Sequence, residues 1–394
     1  MTTQKKDGWQ PLHGLRVIDF SMLLPGPLTT LVLADLGAEV IKVEPPGGDY
    51  SRHMKGHIFE GTNRNKRSIV IDMKSPSSAS IIEQLALYGD IVIEGFRPGV
   101  AKRLGFDAQS LQAVNPDLIY CSLSGFGQTG PASKKAGHDL AYIAMGGGLV
   151  HKGQLRQQPS RAALPIADLA GGSFAAIAIL AALHGKKPGE RGAVLDLSLY
   201  ESMMYTSAIR FGFHTSPDAV EHLYPANDLF TCADGRQIAL TIVEEKFWVN
   251  FVEMTKDYQP AFGETVFQTE EGRLVNFERL MALLDQLLAT RPAEEWVSIM
   301  DKADVPAAVC VPLSDAIQTE HAQERAIHVE TQNGAVVPFP VIASDQRLPQ
   351  QQERPPQMGE NSLEILEQLG FDETDIEAFR KNSVVQFGAN SHSS

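Results

Sequence analysis

Cysteine is scarce in this chain: three residues in 394, Cys121, Cys232 and Cys310, far apart and with no CxxC pair. That spacing excludes a zinc ribbon or a disulfide framework and suits a reducing, cytoplasmic setting. Positive charge is also short. The 34 Lys+Arg against 48 Asp+Glu leave a net charge of −14, which argues against a broad nucleic-acid footprint or a polybasic membrane patch. Any anionic ligand must then be met by a few local cations. The polar first fourteen residues have no apolar run behind them, so no secretory signal is read. The longest small-apolar stretch, 169–183, is interrupted by Gly171, Gly172 and Ser173; it is too short to span a bilayer, and a buried helix is expected there. A Gly-x-Gly-x-x-Gly turn is missing too. In its place after the first strand stands Leu23-Leu-Pro-Gly-Pro27, and two prolines without N–H groups cannot cradle a pyrophosphate, which argues against NAD or FAD.

What the chain does contain is a globular composition, 43% apolar and 21% charged, on a length that allows two or three structural units. Up to about residue 200 short apolar runs alternate with helical patterns. Strands are expected at 16–21 (RVIDFS), 40–44 (VIKVE), 68–72 (SIVID), 91–94 (IVIE), 118–123 (LIYCSL) and 193–198 (AVLDLS). Helices are expected at 26–36, 78–87 and 169–184. Continuous apolar strands separated by helices indicate a doubly wound, Rossmann-like parallel sheet buried on both faces. Beyond Tyr224 the texture changes to a strand at 237–241 and amphipathic helices at 245–255, 277–288 and 293–302, which reads as a smaller α+β domain. The expected division is a large α/β domain over 1–224, a small domain over 225–330, and a segment over 331–394 that includes a linker-like stretch at 349–357 and a helical pattern at 362–369.

Open parallel sheets bind ligands at their strand ends, where Lys42, Lys66, Arg67, Arg97 and Arg103 fall. The bland alternative for each is a solvated surface charge. Asp168 precedes the apolar helix, where a helix cap is the ordinary role. The same place offers an ionised carboxylate held by the positive helix end, beside glycines that let a large ligand approach. Such a carboxylate can act as nucleophile or proton acceptor. Gly137-His138-Asp139 precedes a short helix and the run Gly146-Gly147-Gly148; capping by Asp139 accounts for it without function. Glu244 and Glu245 open a further helix, where acids suit the dipole.

Together these segments resemble the family III CoA-transferases, the group that includes carnitine and formate CoA-transferases and the α-methylacyl-CoA racemases. The resemblance runs through residues 15–20 (LRVIDF), 36–44 (LGAEVIKVE), 63–68 (NRNKRS), 94–99 (EGFRPG), 115–120 (NPDLIY), 124–131 (SGFGQTGP), 166–168 (IAD), 233–236 (ADGR), 304–307 (DVPA) and 358–361 (MGEN). It implies an acyl-CoA enzyme with CoA as substrate and no permanent cofactor or metal. Asp168 would form a mixed anhydride and then an aspartyl-CoA thioester, from which an acceptor carboxylate takes CoA. In the racemases of the group an aspartate matching Asp168 and a histidine matching His138 exchange the α-proton, assisted by a glutamate matching Glu244; Asp139 is grouped with them. CoA would be held by Leu23, Leu24, Pro25, Lys66, Phe96, Arg97 and Arg103, with backbone donors near Gly147. Gly95 stands where some transferases carry asparagine and Pro45 where some carry a basic residue. The stretch 222–228 (HLYPAND) lacks the glycines of a transferase lid. CoA transfer is the first expectation, racemisation the second, and a noncatalytic CoA-binding protein the third. The resemblance also implies ring-like subunits interlocked in a homodimer, with no nucleic-acid or membrane partner.

Overall fold

The structure, a computed structural model, describes residues 8–149, 163–211, 225–331, 334–344, 346–347 and 353–388. Residues 222–224 and 349–352 of the stretches singled out above, the first seven residues and the polar tail beyond 388 lie outside these. The chain forms two compact units. The larger comprises Met1–Leu149, Ser160–Gly212 and Glu324–Ser394, and the smaller Val150–Pro159 and Phe213–Gln323, against expected divisions after 224 and 330.

Six parallel strands build the larger unit: β1 Arg16–Asp19, β2 Glu39–Glu44, β3 Arg67–Ile71, β4 Ile91–Glu94, β5 Ile119–Ser124 and β6 Val194–Ser198. They lie in the order β3-β2-β1-β4-β5-β6, and the short strand Val385–Gln386 pairs antiparallel outside β3 to complete a seven-stranded sheet. The inner strands β1 to β5 are buried on both faces because both faces are covered, whereas the edge strand β6 is partly exposed. Ile18, Ile41, Ile69 and Val92 pack with Ile365, Leu366 and Phe379 from the C-terminal helices Ser362–Gln368 and Glu373–Lys381. Val17, Val40, Ile91, Ile93 and Cys121 pack with Leu33, Ala175 and Ile179 on the other side. Each such aliphatic burial contributes about 1.5–3 kcal/mol. The strand order reverses between β1 and β4, and the loops leaving those two strands therefore diverge and open a crevice.

The long helix Ile166–Gly185 corrects two expectations. It begins three residues before Leu169, and at 20 residues it is long and apolar enough to cross a membrane by length and composition. It is buried on one face only. Ala167, Gly171, Gly172, Ala175, Ala176 and Ile179 are buried, whereas Ile177 is 60% exposed. The glycines explain the packing: a Cβ on Gly172 would lie 2.6 Å from the Pro25 carbonyl oxygen, and one on Gly171 would lie 2.3 Å from Leu199. Gly172 brings this helix against the helix Pro25–Asp35, where Thr29 Oγ1 donates to Gly172 O at 2.9 Å, and Gly171 brings it against Leu199. Their role is helix packing, not an approach path for a ligand.

The smaller unit has an antiparallel sheet of β7 Asn227–Thr231, β8 Gln237–Thr241 and β9 Ala307–Val309. The helices Glu245–Thr255, Phe277–Leu288 and Ala293–Lys302 enclose Trp248, Phe251, Leu284 and Trp296 with it.

Candidate active site

A cavity of 690 Å³ opens at the reversal point, lined by residues of the larger unit alone. Met22 to Gly26 enter it after β1, Gly95 to Pro98 after β4, Leu123 to Gly125 at the end of β5, and Ala136 to Leu140 with Tyr142, Pro165 and Asp168 from beyond. The turn after β1 is not a dinucleotide turn. Leu23 has a left-handed backbone, φ 69°, and its N–H donates to Asp49 Oδ1 at 3.1 Å. Pro25 and Pro27 then occupy the first helical turn, and the Cβ position of Gly26 is filled by Ser21, 2.2 Å away.

Buried charge holds this turn from beneath. Lys42 Nζ pairs with Asp49 Oδ2 at 2.8 Å and donates to Ser21 O at 2.9 Å, with both charged side chains fully buried. Lys66 Nζ pairs with Asp19 Oδ2 at 3.3 Å and donates to Pro27 O and Asn63 Oδ1, each at 2.9 Å. Burial pulls the Lys66 ammonium down to about 7 against the support of Asp19. Glu44 accepts two hydrogen bonds from Arg52, at 2.7 and 2.6 Å, and one from Ser68 Oγ at 2.6 Å.

The expected cation set is therefore corrected. A buried lysine must be paired to be kept, so Lys42 within β2 and Lys66 just before β3 position backbone and do not line the cavity. Arg67 is engaged by Glu39, Glu364 and Gln368. Arg103 is exposed at the end of the Val100–Arg103 helix and is also absent from the lining. Arg97 does line the cavity, exposed and in no ion pair among the described residues, beside Phe96. The N–H of Phe96 donates to the buried carboxyl of Glu94 at 2.7 Å, which fixes the direction of that loop.

Leu23, Leu24, Pro25, Phe96, Arg97, His138, Asp139 and Asp168 all face this one cavity. Gly147 does not. It has φ 82° beside Ser207, and Cβ atoms on its neighbours Gly146 and Gly148 would fall 2.8 and 2.7 Å from Met203; the glycine run serves packing. Glu244 stands in the smaller unit, exposed, as the N-cap residue of Glu245–Thr255 without a side-chain cap bond.

Asp168 is not the cap that its sequence position suggests. The helix starts at Ile166 with Pro165 at the N-cap, so Asp168 is the third helical residue. Asp139 was expected to cap its own helix; instead it is the first residue of Asp139–Met145, and its Oδ1 accepts the N–H groups of Ala167 at 2.8 Å and Asp168 at 3.2 Å. No hydrogen bond engages the Asp168 carboxyl among the described residues. The helix end was expected to keep it ionised; burial first, and the charge of Asp139 second, outweigh that and push it up to about 7. Tyr142, whose Oη donates to Gly137 O at 2.6 Å, is pushed up to about 12 by burial and by the charge of Asp168.

Sequence reasoning passed over three members of the site. Lys135 adds a second cation to the lining. Ser124 carries a buried Oγ with no hydrogen-bond partner among the described residues, at the cavity end of β5. Asp49 anchors Leu23. Their signals are faint: Ser124 closes an apolar strand, and Asp49 sits in a loop far from the turn it holds. Among the described residues no three His, Cys, Asp or Glu side chains gather as a metal site.

The model of CoA-transferase family III matches residues 12–362. The human protein named alpha-methylacyl-CoA racemase is 29% identical over 95% of this chain and 97% of its own length. Acetyl-CoA:oxalate CoA-transferase of Acetobacter aceti is 30% identical over 92% of this chain and 97% of its own. Among solved structures, a CaiB/BaiF family protein from Brucella suis superposes with a TM-score of 0.78 at 28% identity, over 91% of this chain and 99% of that one. The family model across residues 12–362 and the similarity over most of each relative's length show it: the chain belongs to CoA-transferase family III, the CaiB/BaiF group that acts on acyl-CoA.

Proposed function

We propose that the protein moves a proton at the carbon next to an acyl-CoA thioester, as a 2-methylacyl-CoA racemase or epimerase, with Asp168 and His138 as the acid–base pair. The observation that carries this is that an imidazole and a carboxyl with no hydrogen bond among the described residues line one cavity; burial and the charge of Asp139 push that carboxyl up to about 7. A group that titrates near working pH is at its most useful in proton exchange. In one direction the Asp168 carboxylate takes the α-proton, the electron pair moves onto the thioester oxygen as an enolate, and His138 as imidazolium returns a proton to the opposite face. The reverse uses the other protonation state of each. Arg97 and Lys135 suit the anionic portion of CoA, and Met22, Leu23, Met54, Ile58, Leu140 and Leu164 suit an acyl chain. Glu244 is kept as an assisting candidate on family resemblance.

CoA transfer is the second reading, favoured by the transferases among the relatives and by an Asp168 carboxyl with no hydrogen bond among the described residues. Its carboxylate would attack the thioester carbonyl and expel CoA thiolate. The thiolate would return to form aspartyl-CoA and release the donor acid, and a small carboxylate would then take CoA. Incubation with a single enantiomer of a 2-methylacyl-CoA in D₂O separates the two. Deuterium at the α-carbon, lost in Asp168→Ala and reduced in His138→Ala, supports the first reading. No deuterium, with an acyl-donor-dependent adduct on the Asp168 peptide, overturns it and leaves transfer.

A homodimer, with the interlocked rings of the resemblance and a cytoplasmic setting, belongs to the same proposal. Its support is an apolar face on the larger unit: Ile177, Tyr205 and Ile209 are 60%, 61% and 73% exposed, a patch of the kind that marks an interface. Light scattering should give twice the chain mass of 43.0 kDa; an active monomer would refute it.

A further inference from the structure

We propose that the Asp139 side chain is a positioning residue acting through Asp168: its carboxylate supplies from another segment the cap that the Asp168 helix lacks, and it sets a second carboxylate beside the reacting one. The first half follows from how helices begin. The opening N–H groups of a helix have no partner inside it, and a side chain at the N-cap ordinarily accepts the second or third of them. Here the N-cap is Pro165, which has no side-chain acceptor. Asp139 Oδ1 takes those two N–H groups, from Ala167 at 2.8 Å and Asp168 at 3.2 Å, across 28 and 29 residues of sequence.

The proline has a second consequence. In a capping box the side chain at the third helical position reaches back to the N–H of the N-cap residue. Pro165 has no N–H, so Asp168 has nothing to reach back to, and its carboxyl is left to the cavity that both residues line. With proline at the cap, the two aspartates divide the work: Asp139 orders the helix, and Asp168, with no hydrogen bond to its carboxyl among the described residues, faces the cavity. The charge of Asp139 lies beside Asp168 while Arg97, Lys135, His138 and Tyr142 face the same cavity; of these, Asp139 alone is fixed by two backbone hydrogen bonds at the helix that carries Asp168.

The inference rests on Asp168 as the reacting carboxyl, and its test separates the two. Asp139→Asn keeps an oxygen to accept the N–H groups but removes the charge, and Asp139→Ala removes both. Titration of Asp168 is read without catalysis, from the pH dependence of the melting temperature of each background with and without Asp168→Asn. Asp139→Asn should move the Asp168 midpoint down by about one pH unit, and the acidic limb of the kcat profile should follow it. Asp139→Ala should lower kcat at least tenfold with KM changed little, as expected when a reacting group is misplaced, and Asp139→Asn should recover most of that loss. An unmoved midpoint in Asp139→Asn, or equal kcat in the Asn and Ala variants, overturns the proposal even if Asp168→Ala abolishes turnover. Activity surviving Asp168→Ala overturns the underlying reading instead. If the alanine variant does not fold, the asparagine midpoint decides alone.

Discussion

Replacing Asp168 by asparagine should make the protein more stable at alkaline pH and not at acid pH. The carboxyl is raised from 3.8 to about 7 by burial and by Asp139, so the folded state binds its proton more tightly than the unfolded chain does. Stability from that proton is fully present below 3.8 and is lost as pH rises through about 7. Above that, the ionised folded carboxylate is worse off than in water by about three pH units at 1.36 kcal/mol each, about 4 kcal/mol as an upper bound. Water entering the cavity reduces the figure, and roughly 2–3 kcal/mol is expected. Asparagine has the same shape and no charge to bury. Melting temperatures of the two proteins should therefore coincide near pH 4 and separate by several degrees at pH 8, with the variant higher, at about 2–4 °C per kcal/mol for a unit of this size. A gap that does not change with pH, or a variant less stable at pH 8, would refute the reasoning and remove the electrostatic case for Asp168 as the reacting group.

Four further outcomes follow from the same geometry. His138→Ala should reduce α-proton exchange by about 10²- to 10⁴-fold, the span of a lost general acid or base, measured by deuterium incorporation; a change of less than threefold would remove His138 from the chemistry. Arg97→Gln should raise KM for acyl-CoA with kcat nearly unchanged, and the wild-type KM should itself rise with salt as the local pairing is screened. Asp49→Ala leaves Lys42 buried and unpaired and Leu23 without its acceptor, and should cost about 3–5 kcal/mol in thermal or urea unfolding. Gly172→Ala forces a methyl to 2.6 Å from Pro25 O and should cost about 1–3 kcal/mol, as over-packing does.

Much of the fold is legible because the pattern is local and strong. The strands 91–94 and 237–241 and the helices 245–255, 277–288 and 293–302 coincide with Ile91–Glu94, Gln237–Thr241, Glu245–Thr255, Phe277–Leu288 and Ala293–Lys302. Each is bounded by turn residues or carries one clear period. Helix Leu199–Phe211 has no start signal in the sequence, since Ser198-Leu-Tyr-Glu continues a strand without a breaker. The closing strand Val385–Gln386 is two residues long and exists only through its pairing with β3. At the site the acid–base candidates were visible, but their arrangement was not. Nothing in the spacing of Asp139 and Asp168 tells which carboxylate is the cap, because that depends on two helices meeting in space. The sequence does hold one clue, Pro165, whose missing N–H makes a self-closed capping box impossible.

Lys66 shows why composition alone misjudges a binding site in an acidic chain. Four of the five cations nearest the strand ends do not line the cavity; Lys42 and Lys66 lie beneath it, bonded to Asp49, Asp19 and carbonyls of the very turn that forms its wall. A buried ammonium without such partners would be too costly to keep, and a turn containing Pro25, Pro27 and a left-handed Leu23 has few backbone donors of its own to fix it. Each deficit answers the other: the carbonyls and carboxylates satisfy the lysines, and the lysines lock the turn. What remains for a ligand in the way of charge is a short inventory of Arg97, Lys135, His138 and Asp168, joined by the Ser124 hydroxyl. If that hydroxyl meets a ligand's polar atom, Ser124→Ala should weaken acyl-CoA binding about 5- to 10-fold by calorimetry, the loss of a single hydrogen bond, while leaving the melting temperature of the free protein unchanged. The second half is the sharper requirement, because a hydroxyl with no partner among the described residues has no folding bond there to lose; a lower melting temperature would place Ser124 in the scaffold and not in the site.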